Sequence, residues 1–319
     1  MQKMTHQYTK ELRVFYKENF DKCSNCGYEF READTTHLGY IADRKLAYLC
    51  DKCSDLLIET VVRYCYMKRD YQIPSPSAKL WRYMDFSKYV SMLSSRTLFF
   101  SSVSNFIDIF EGAKGILSRK EIWDDFYKSF FISAIKNPPE KLVCEESPEE
   151  IEQHAVRLLE ELHSSGESAR ERIYINCWHE NYVESEAMWK LYSKDITNAI
   201  CIQSTYESLY YALGRNPDIS IGQVNYIDFS KQFAPVNGSY WYKRKSFEHE
   251  KEVRAIIHST ESKDENGIKV PIDLDMLLKY VYISPSAPKW FTDVVHDTNI
   301  KYEINAPVVQ SSLMDTPFF

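Results

Sequence analysis

The stretch Phe247-Glu248-His249-Glu250-Lys251-Glu252-Val253-Arg254 runs straight into Ala255-Ile256-Ile257. That sequence predicts a strand over residues 250–257. Side chains alternate between faces along a strand. Glu250, Glu252 and Arg254 then share one face, and Val253, Ala255 and Ile257 the other. Two readings stay open: a solvated charged row on an antiparallel surface strand, or a carboxylate held close to a reacting centre.

The chain has 319 residues, 44% hydrophobic and 27% charged. This composition can build a globular core, and the length suits one large and one small domain, or two of medium size. A net charge of −7 argues against a whole-protein electrostatic grip on nucleic acid, while leaving room for a local basic patch. No stretch is long and apolar enough for a transmembrane helix, and residues 1–20 are too charged for a signal peptide. No membrane association is expected. Four of the eight cysteines fall in CxxC pairs, which fits a reducing cytoplasm better than a disulfide scaffold.

Those pairs are Cys23-Ser24-Asn25-Cys26-Gly27 and Cys50-Asp51-Lys52-Cys53. Four thiolates suit a tetrahedral structural Zn²⁺; four ordinary buried or redox thiols are the plain alternative. A short helix is expected over residues 7–20. Leu56, Leu57, Val61, Val62 and Cys65 give residues 54–71 a helical pattern, so the second pair opens a helix, as in a treble clef. Thr36-His37-Leu38 followed by Leu49-Cys50 resembles a degenerate treble clef of HNH nucleases. In those enzymes a histidine usually follows the last cysteine; this chain has Ser54. The resemblance therefore implies a zinc domain that is structural, or that contacts nucleic acid or a partner, ahead of a nuclease. Residues 71–78, YQIPSPSA, read as a linker. The domains expected are 1–72, zinc-binding, and 79–319.

In the second domain, strands are expected at 79–83, 98–102, 173–178, 199–202, 219–227, 280–284 and 300–304. Helices are expected at 86–93, 118–137 and 184–193. Ser147, Pro148 and Glu150 start another, running to Gly166. A capping box over residues 204–207 starts one that stops at Gly214. Helices gather early and strands late, an α+β pattern.

The segments LWRY (80–83), LFFSSVSNFIDIFEG (98–112), CWHENYVESEAMWKLYS (177–193), AICIQST (199–205) and KSFEHEKEVRAI (245–256) resemble, in this order, a large bacterial family of unknown function. One departure is Ile107-Asp108-Ile109, where that family usually reads Asn-Asp-Pro. Three of the pieces look like an ADP-ribosyltransferase fold. The resemblance implies a small zinc treble clef followed by an ADP-ribosyltransferase-like mixed-sheet domain with inserted helices. It implies an NAD-dependent transferase acting on a nucleic-acid or protein acceptor, as a toxin or phage-defence effector restrained by an antitoxin or other regulatory protein.

By the same resemblance Glu252 is catalytic and Glu250 orients the acceptor. Arg82, Ser101 and Ser102 hold NAD, and Trp189 and Tyr192 stack on one of its rings. The chemistry asks for these types. Breaking the nicotinamide–ribose bond passes through an oxocarbenium-like state that a carboxylate stabilises, and a guanidinium grips pyrophosphate. The strand carrying Glu252 should then lie beside the one carrying Arg82. Plainer roles stay open: Arg82 paired with Glu111 or a C-terminal acid, the serines as strand ends, Trp178, Trp189 and Tyr192 as core, and His179 as packing. The Lys243-Arg244-Lys245 run reads as a solvated face, or, bordering the proposed site, as a patch that attracts phosphates. The alternative function is a non-catalytic zinc protein that binds nucleic acid or a partner.

Overall fold

The computed structural model describes residues 2–5, 21–31, 34–40, 46–53, 71–137, 146–216, 218–236, 238–259 and 266–319. The helix expected over 7–20 lies outside these residues, as does that over 54–71 apart from Tyr71. The chain divides into two compact units, Met1–Asp70 and Tyr71–Phe319.

In the first unit, β1 (Gln2–Thr5), β2 (Thr35–Tyr40) and β3 (Leu46–Cys50) form an antiparallel sheet in that order. Gly27 turns the chain at φ +71°, where a side chain would be strained. Residues 51–53 are helical. Cys23, Phe30, Tyr48, Leu49 and Cys53 make a small core.

The second unit starts earlier than expected. Tyr71 stacks on Trp241, ring centroids 3.9 Å apart, and Gln72 bridges to Gln223, so the supposed linker belongs to the folded body. Its elements begin with β4 (Lys79–Asp85), α1 (Phe86–Ser95) and β5 (Thr97–Ser102). The paired helices α2 (Lys120–Lys136) and α3 (Pro148–Ala169) follow. Ser147 and Glu150 cap α3 reciprocally, as the local pattern predicts. Then come β6 (Ile173–Glu180), α4 (Glu186–Tyr192), β7 (Ala199–Thr205) and α5 (Tyr206–Ala212). Thr205, and not Ser204, caps α5: its Oγ1 accepts from the Ser208 amide, while the Ser204 hydroxyl donates to the Leu277 carbonyl.

Residues 219–227 form two strands, β8 (Ile219–Gln223) and β9 (Asn225–Ile227), because the amide of the intervening Val224 turns to the Glu252 carbonyl. After β10 (Tyr242–Arg244) and a 3₁₀ turn over Lys245–Glu250 come β11 (Glu252–His258) and β12 (Gly267–Pro271). The chain closes with α6 (Leu274–Leu277), β13 (Tyr280–Ile283), α7 (Lys289–Lys301) and β14 (Val308–Gln310). The strand expected at 300–304 is instead the end of α7. There Glu303 adopts φ +58° and the Ile304 amide bonds back to the Asn299 carbonyl, a Schellman stop without glycine.

Among the described residues nine strands form one mixed sheet, and the whole is α+β. The order is β12-β5-β6-β4-β7-β13-β14, and β11 joins the other edge of β6 and carries β8. Leu80, Phe100, Trp178, Ile202, Val253 and Ala255 face a core shared with Tyr89, Leu209, Leu277 and Phe291 of the helices. The opposite face is also covered: Trp81, Tyr83, Met188 and Trp189 form one cluster, and Ile175, Ile256, Tyr240 and Trp241 another. Burying each large apolar side chain contributes about 1.5–3 kcal/mol.

Candidate active site at the fork of the sheet

The sheet parts in the middle. At the start of β6, Tyr174 and Ile175 pair with Ser102 and Ser101 of β5. At its end, His179 and Glu180 pair with Trp81 and Leu80 of β4. Between them that edge has no ladder partner, and side chains complete it. Arg82 Nη1 donates to the Cys177 carbonyl at 2.7 Å, and Asn176 Nδ2 to the Phe99 carbonyl at 2.8 Å. A backbone carbonyl left unpaired there would cost about 1–3 kcal/mol. Helix α1 joins the end of β4 to the start of β5 across the gap. The result is a cavity of about 520 Å³ lined by β4, β5, β6 and α1, and also by Tyr192, Glu250, Glu252 and Lys269.

The carboxylate end is built differently from the predicted strand. β11 begins at Glu252; Glu250 ends the 3₁₀ turn, and Lys251 between them sits at φ +40°. That left-handed step costs about 1–2 kcal/mol for a residue with a side chain. It lets both carboxylates converge on Lys243, whose Nζ lies 2.5 Å from Glu250 and 3.2 Å from Glu252. Arg254 holds Glu252 through Nε at 2.8 Å and Nη2 at 3.1 Å, and reaches Glu111 at 2.8 Å. Its Nη1 donates to the Tyr240 carbonyl at 2.6 Å.

The row is therefore not solvated. Arg254 is 0% exposed and Glu252 5%. Buried charges of this kind survive only when paired and hydrogen-bonded. Burial pushes Glu252 towards the neutral form, but Arg254 and Lys243 outweigh it and bring its pKa down to about 2. Lys243 is raised: burial opposes its charge, and Glu252 and Glu250 overcome that. Burial, then Glu250 and Glu252, raise the Tyr192 phenol, which is in hydrogen-bond reach of Glu250.

Arg82, Ser101, Tyr192, Glu250 and Glu252 all line the one cavity. Ser102 and Trp189 do not. Ser102 is buried with its hydroxyl 2.7 Å from that of Ser104, and Trp189 is buried edge-on to Tyr83 with its indole N–H on Glu184. β11 is not beside β4 either, because β6 lies between them. Register puts Arg82 on the face of Leu80, Trp178 and Val253, and Glu252 on the face of His179 and Trp81. They share a cavity because the sheet is open at the fork. Arg82 is not paired with Glu111; it bonds Cys177 and lies over the Trp178 ring at 5.9 Å.

Sequence reasoning placed the Lys243 run at the border of the site but missed that Lys243 is buried, 7% exposed, and paired with Glu250 and Glu252. Arg254 was placed on one face with Glu250 and Glu252 but without its partners, and Glu111, offered only as an alternative partner of Arg82, pairs with Arg254 instead. No local pattern marks these roles, since each depends on elements far apart in the chain.

The first unit holds a candidate metal centre. The Sγ atoms of Cys23, Cys26, Cys50 and Cys53 all lie within 4.8 Å of one another, with Cys26 and Cys50 at 3.8 Å. Thiolates about 2.3 Å from a tetrahedral zinc are about 3.8 Å apart, so the four fit that ion. The Cys50 amide at 3.4 Å from Cys23 Sγ and Asn25 Nδ2 at 3.5 Å from Cys53 Sγ are suited to stabilising thiolates. His37 stays outside the cluster, its Nε2 2.6 Å from Asp51.

No family model and no curated protein matches the chain, so the motif resemblance over residues 79–260 has no family model behind it. Among solved structures, Thermus sp. 2.9 DarT in complex with carba-NAD+ matches 74% of this chain and 96% of its own, at 9% identity and a TM-score of 0.33. Thermus sp. 2.9 DarT in complex with ADP-ribosylated ssDNA matches 76% and 97%, at 11% identity and a TM-score of 0.32. Likeness this loose places no residue, and the site rests on its own geometry. Among the described residues no helix is long and apolar enough to cross a membrane.

Proposed function

We propose that the second unit is an ADP-ribosyltransferase that uses NAD as substrate and modifies a nucleic-acid or protein acceptor. The observation that carries this reading is the convergence of Arg82, Ser101, Tyr192, Glu250 and Glu252 on one cavity of about 520 Å³, a size usual for nucleotide-class ligands. Glu252 stays ionised beside the reacting sugar. Its two oxygens offer about four lone-pair sites; Arg254 and Lys243 take three, and a ribose hydroxyl takes the fourth in place of the Cys177 thiol. As the C1′–nitrogen bond breaks, its electron pair leaves with neutral nicotinamide, and the carboxylate stabilises the developing oxocarbenium charge. The acceptor nucleophile bonds C1′ and gives its proton to Glu250. Arg82 holds the pyrophosphate.

The test is transfer of label from NAD to single-stranded DNA, RNA or extracted protein, with nicotinamide release measured in parallel. Glu252→Gln keeps the volume and removes the charge; we expect at least a hundredfold loss, about 2.7 kcal/mol or more in barrier. No transfer and no nicotinamide release, with the variant indistinguishable from wild type, refutes the reading. Unrestrained NAD consumption that outpaces supply harms the cell that holds the enzyme. A toxin or phage-defence role under a regulatory partner therefore belongs to the proposal, and growth arrest on expression that disappears with Glu252→Gln tests it.

A second reading has its own support. Both oxygens of Glu252 are already engaged, as in a purely structural charge cluster, and the four-thiolate centre suits a zinc protein that binds nucleic acid or a partner. Salt-dependent nucleic-acid binding without NAD turnover favours it.

A further inference from the structure

His179 is 6% exposed and lines the cavity from β6. Its Nδ1 lies 2.6 Å from the backbone carbonyl oxygen of Glu250. A carbonyl only accepts, so Nδ1 carries the hydrogen and Nε2 is left with a bare lone pair. Burial lowers the pKa of the imidazole and favours this neutral form. Among the described residues Nε2 has no hydrogen-bond partner. A buried acceptor without a donor costs about 1–3 kcal/mol, and here a short bond fixes the ring in that state. Such an atom calls for an explanation outside the side chains around it.

The surroundings describe what it would meet. Tyr83 lies beside the ring, centroids 6.3 Å apart, and Trp81 is its register partner on β4. On the other side, Glu252 is its register partner on β11, one strand spacing of about 5 Å away. An acceptor for one hydrogen bond thus sits between aromatic side chains and the ionised carboxylate. A flat ring amide whose far side bears a sugar meets both demands.

We propose that His179 is a specificity residue of the cavity, its Nε2 accepting a hydrogen bond from the carboxamide N–H of a nicotinamide ring seated by Tyr83 and Trp81. The assignment rests on the NAD reading above and adds to it a reason for choosing the amide. A carboxylate at the same position of the ring has no donor and sets its charge against the lone pair.

The experiment is calorimetric titration at one pH and salt with NAD, nicotinic acid adenine dinucleotide and ADP-ribose. Wild type should bind NAD at least tenfold more tightly than the acid. His179→Asn keeps an N–H near the Glu250 carbonyl and deletes the Nε2 acceptor. It should bring the two dinucleotides to within about threefold, since one neutral hydrogen bond is worth about that margin. His179→Gln, which places an oxygen near Nε2, should retain part of the preference. ADP-ribose lacks the ring and should bind wild type and His179→Asn alike. The proposal is overturned by a His179→Asn protein that discriminates like wild type, by a wild type that binds both dinucleotides equally, or by ADP-ribose weakening in step with NAD in the variant. If wild type binds ADP-ribose and NAD but fails only in discrimination, this assignment falls alone. If it binds none of the three, the NAD reading falls and takes the assignment with it.

Discussion

Lys243→Met removes a buried cation and leaves its stem. In the wild type Nζ lies 2.5 Å from Glu250, 3.2 Å from Glu252 and 3.7 Å from Glu111. At an effective dielectric of about 20, the 3.2 Å pair alone is worth about 5 kcal/mol of gross attraction. Desolvation of the lysine offsets much of that, so the net loss expected at pH 7 is about 3–5 kcal/mol, the usual range for orphaning a buried charge. Three carboxylates then face Arg254 alone. The pH dependence gives the signature. In the wild type Glu252 is held at about 2, down from 4.5, so its contribution is full above the unfolded value and fades only as pH falls towards 2. In the variant Glu252 loses the part of that lowering that Lys243 supplies. Glu252 then takes its proton at a higher pH than in the wild type, and the deficit against wild type narrows as pH falls from 7 to 4. Urea denaturation at both pH values measures it. Glu250→Gln on the Lys243→Met background should recover at least about half the loss, and this double variant serves if the single one fails to fold. A deficit below about 1 kcal/mol, or one equal at the two pH values, would refute the view that Lys243 neutralises this cluster.

Three further outcomes are expected. Arg82→Lys should weaken NAD binding about tenfold or more in calorimetry, because an ammonium cannot serve the Cys177 carbonyl and a phosphate in one plane; unchanged affinity removes Arg82 from the site. Purified protein should carry about one zinc per chain by elemental analysis, and Cys26→Ser should lower that occupancy; full zinc in the variant would exclude a four-thiolate centre. Thr205→Ala should lower stability by about 0.5–2 kcal/mol through loss of the cap on α5, whereas Ser204→Ala should act through the Leu277 carbonyl it leaves unpaired and not through the helix.

What was legible in the chain was local. The start of α3 could be read because Ser147, Pro148 and Glu150 are the cap itself, and the alternation along β11 placed Val253 and Ala255 in the core. What could not be read depended on distant partners. The end of α7 looked like a strand because nothing in Glu303 announces a left-handed residue. Lys243 looked solvated because a basic run usually is; only Glu250 and Glu252 folding back over it make it a core residue. The fork was invisible, since the gap along one edge of β6 between residues 175 and 179 is a fact about β4 and β5, not about β6. Of the seven side chains expected at the candidate site, five touch the hollow and Ser102 and Trp189 do not; most of its other lining and the ion pairs around Glu252 were not foreseen.

The parting of the sheet has one more consequence. Three sides of the hollow are strands locked into ladders, and the fourth is a helix pinned by Tyr89, Met92 and Leu93 in the core. Rigid walls of this kind keep their separation whether or not anything is inside. On the reading proposed above, the pocket would work as a gauge: a guest would be measured against a gap that already exists, and one too long would be turned away without the protein reshaping itself to admit it.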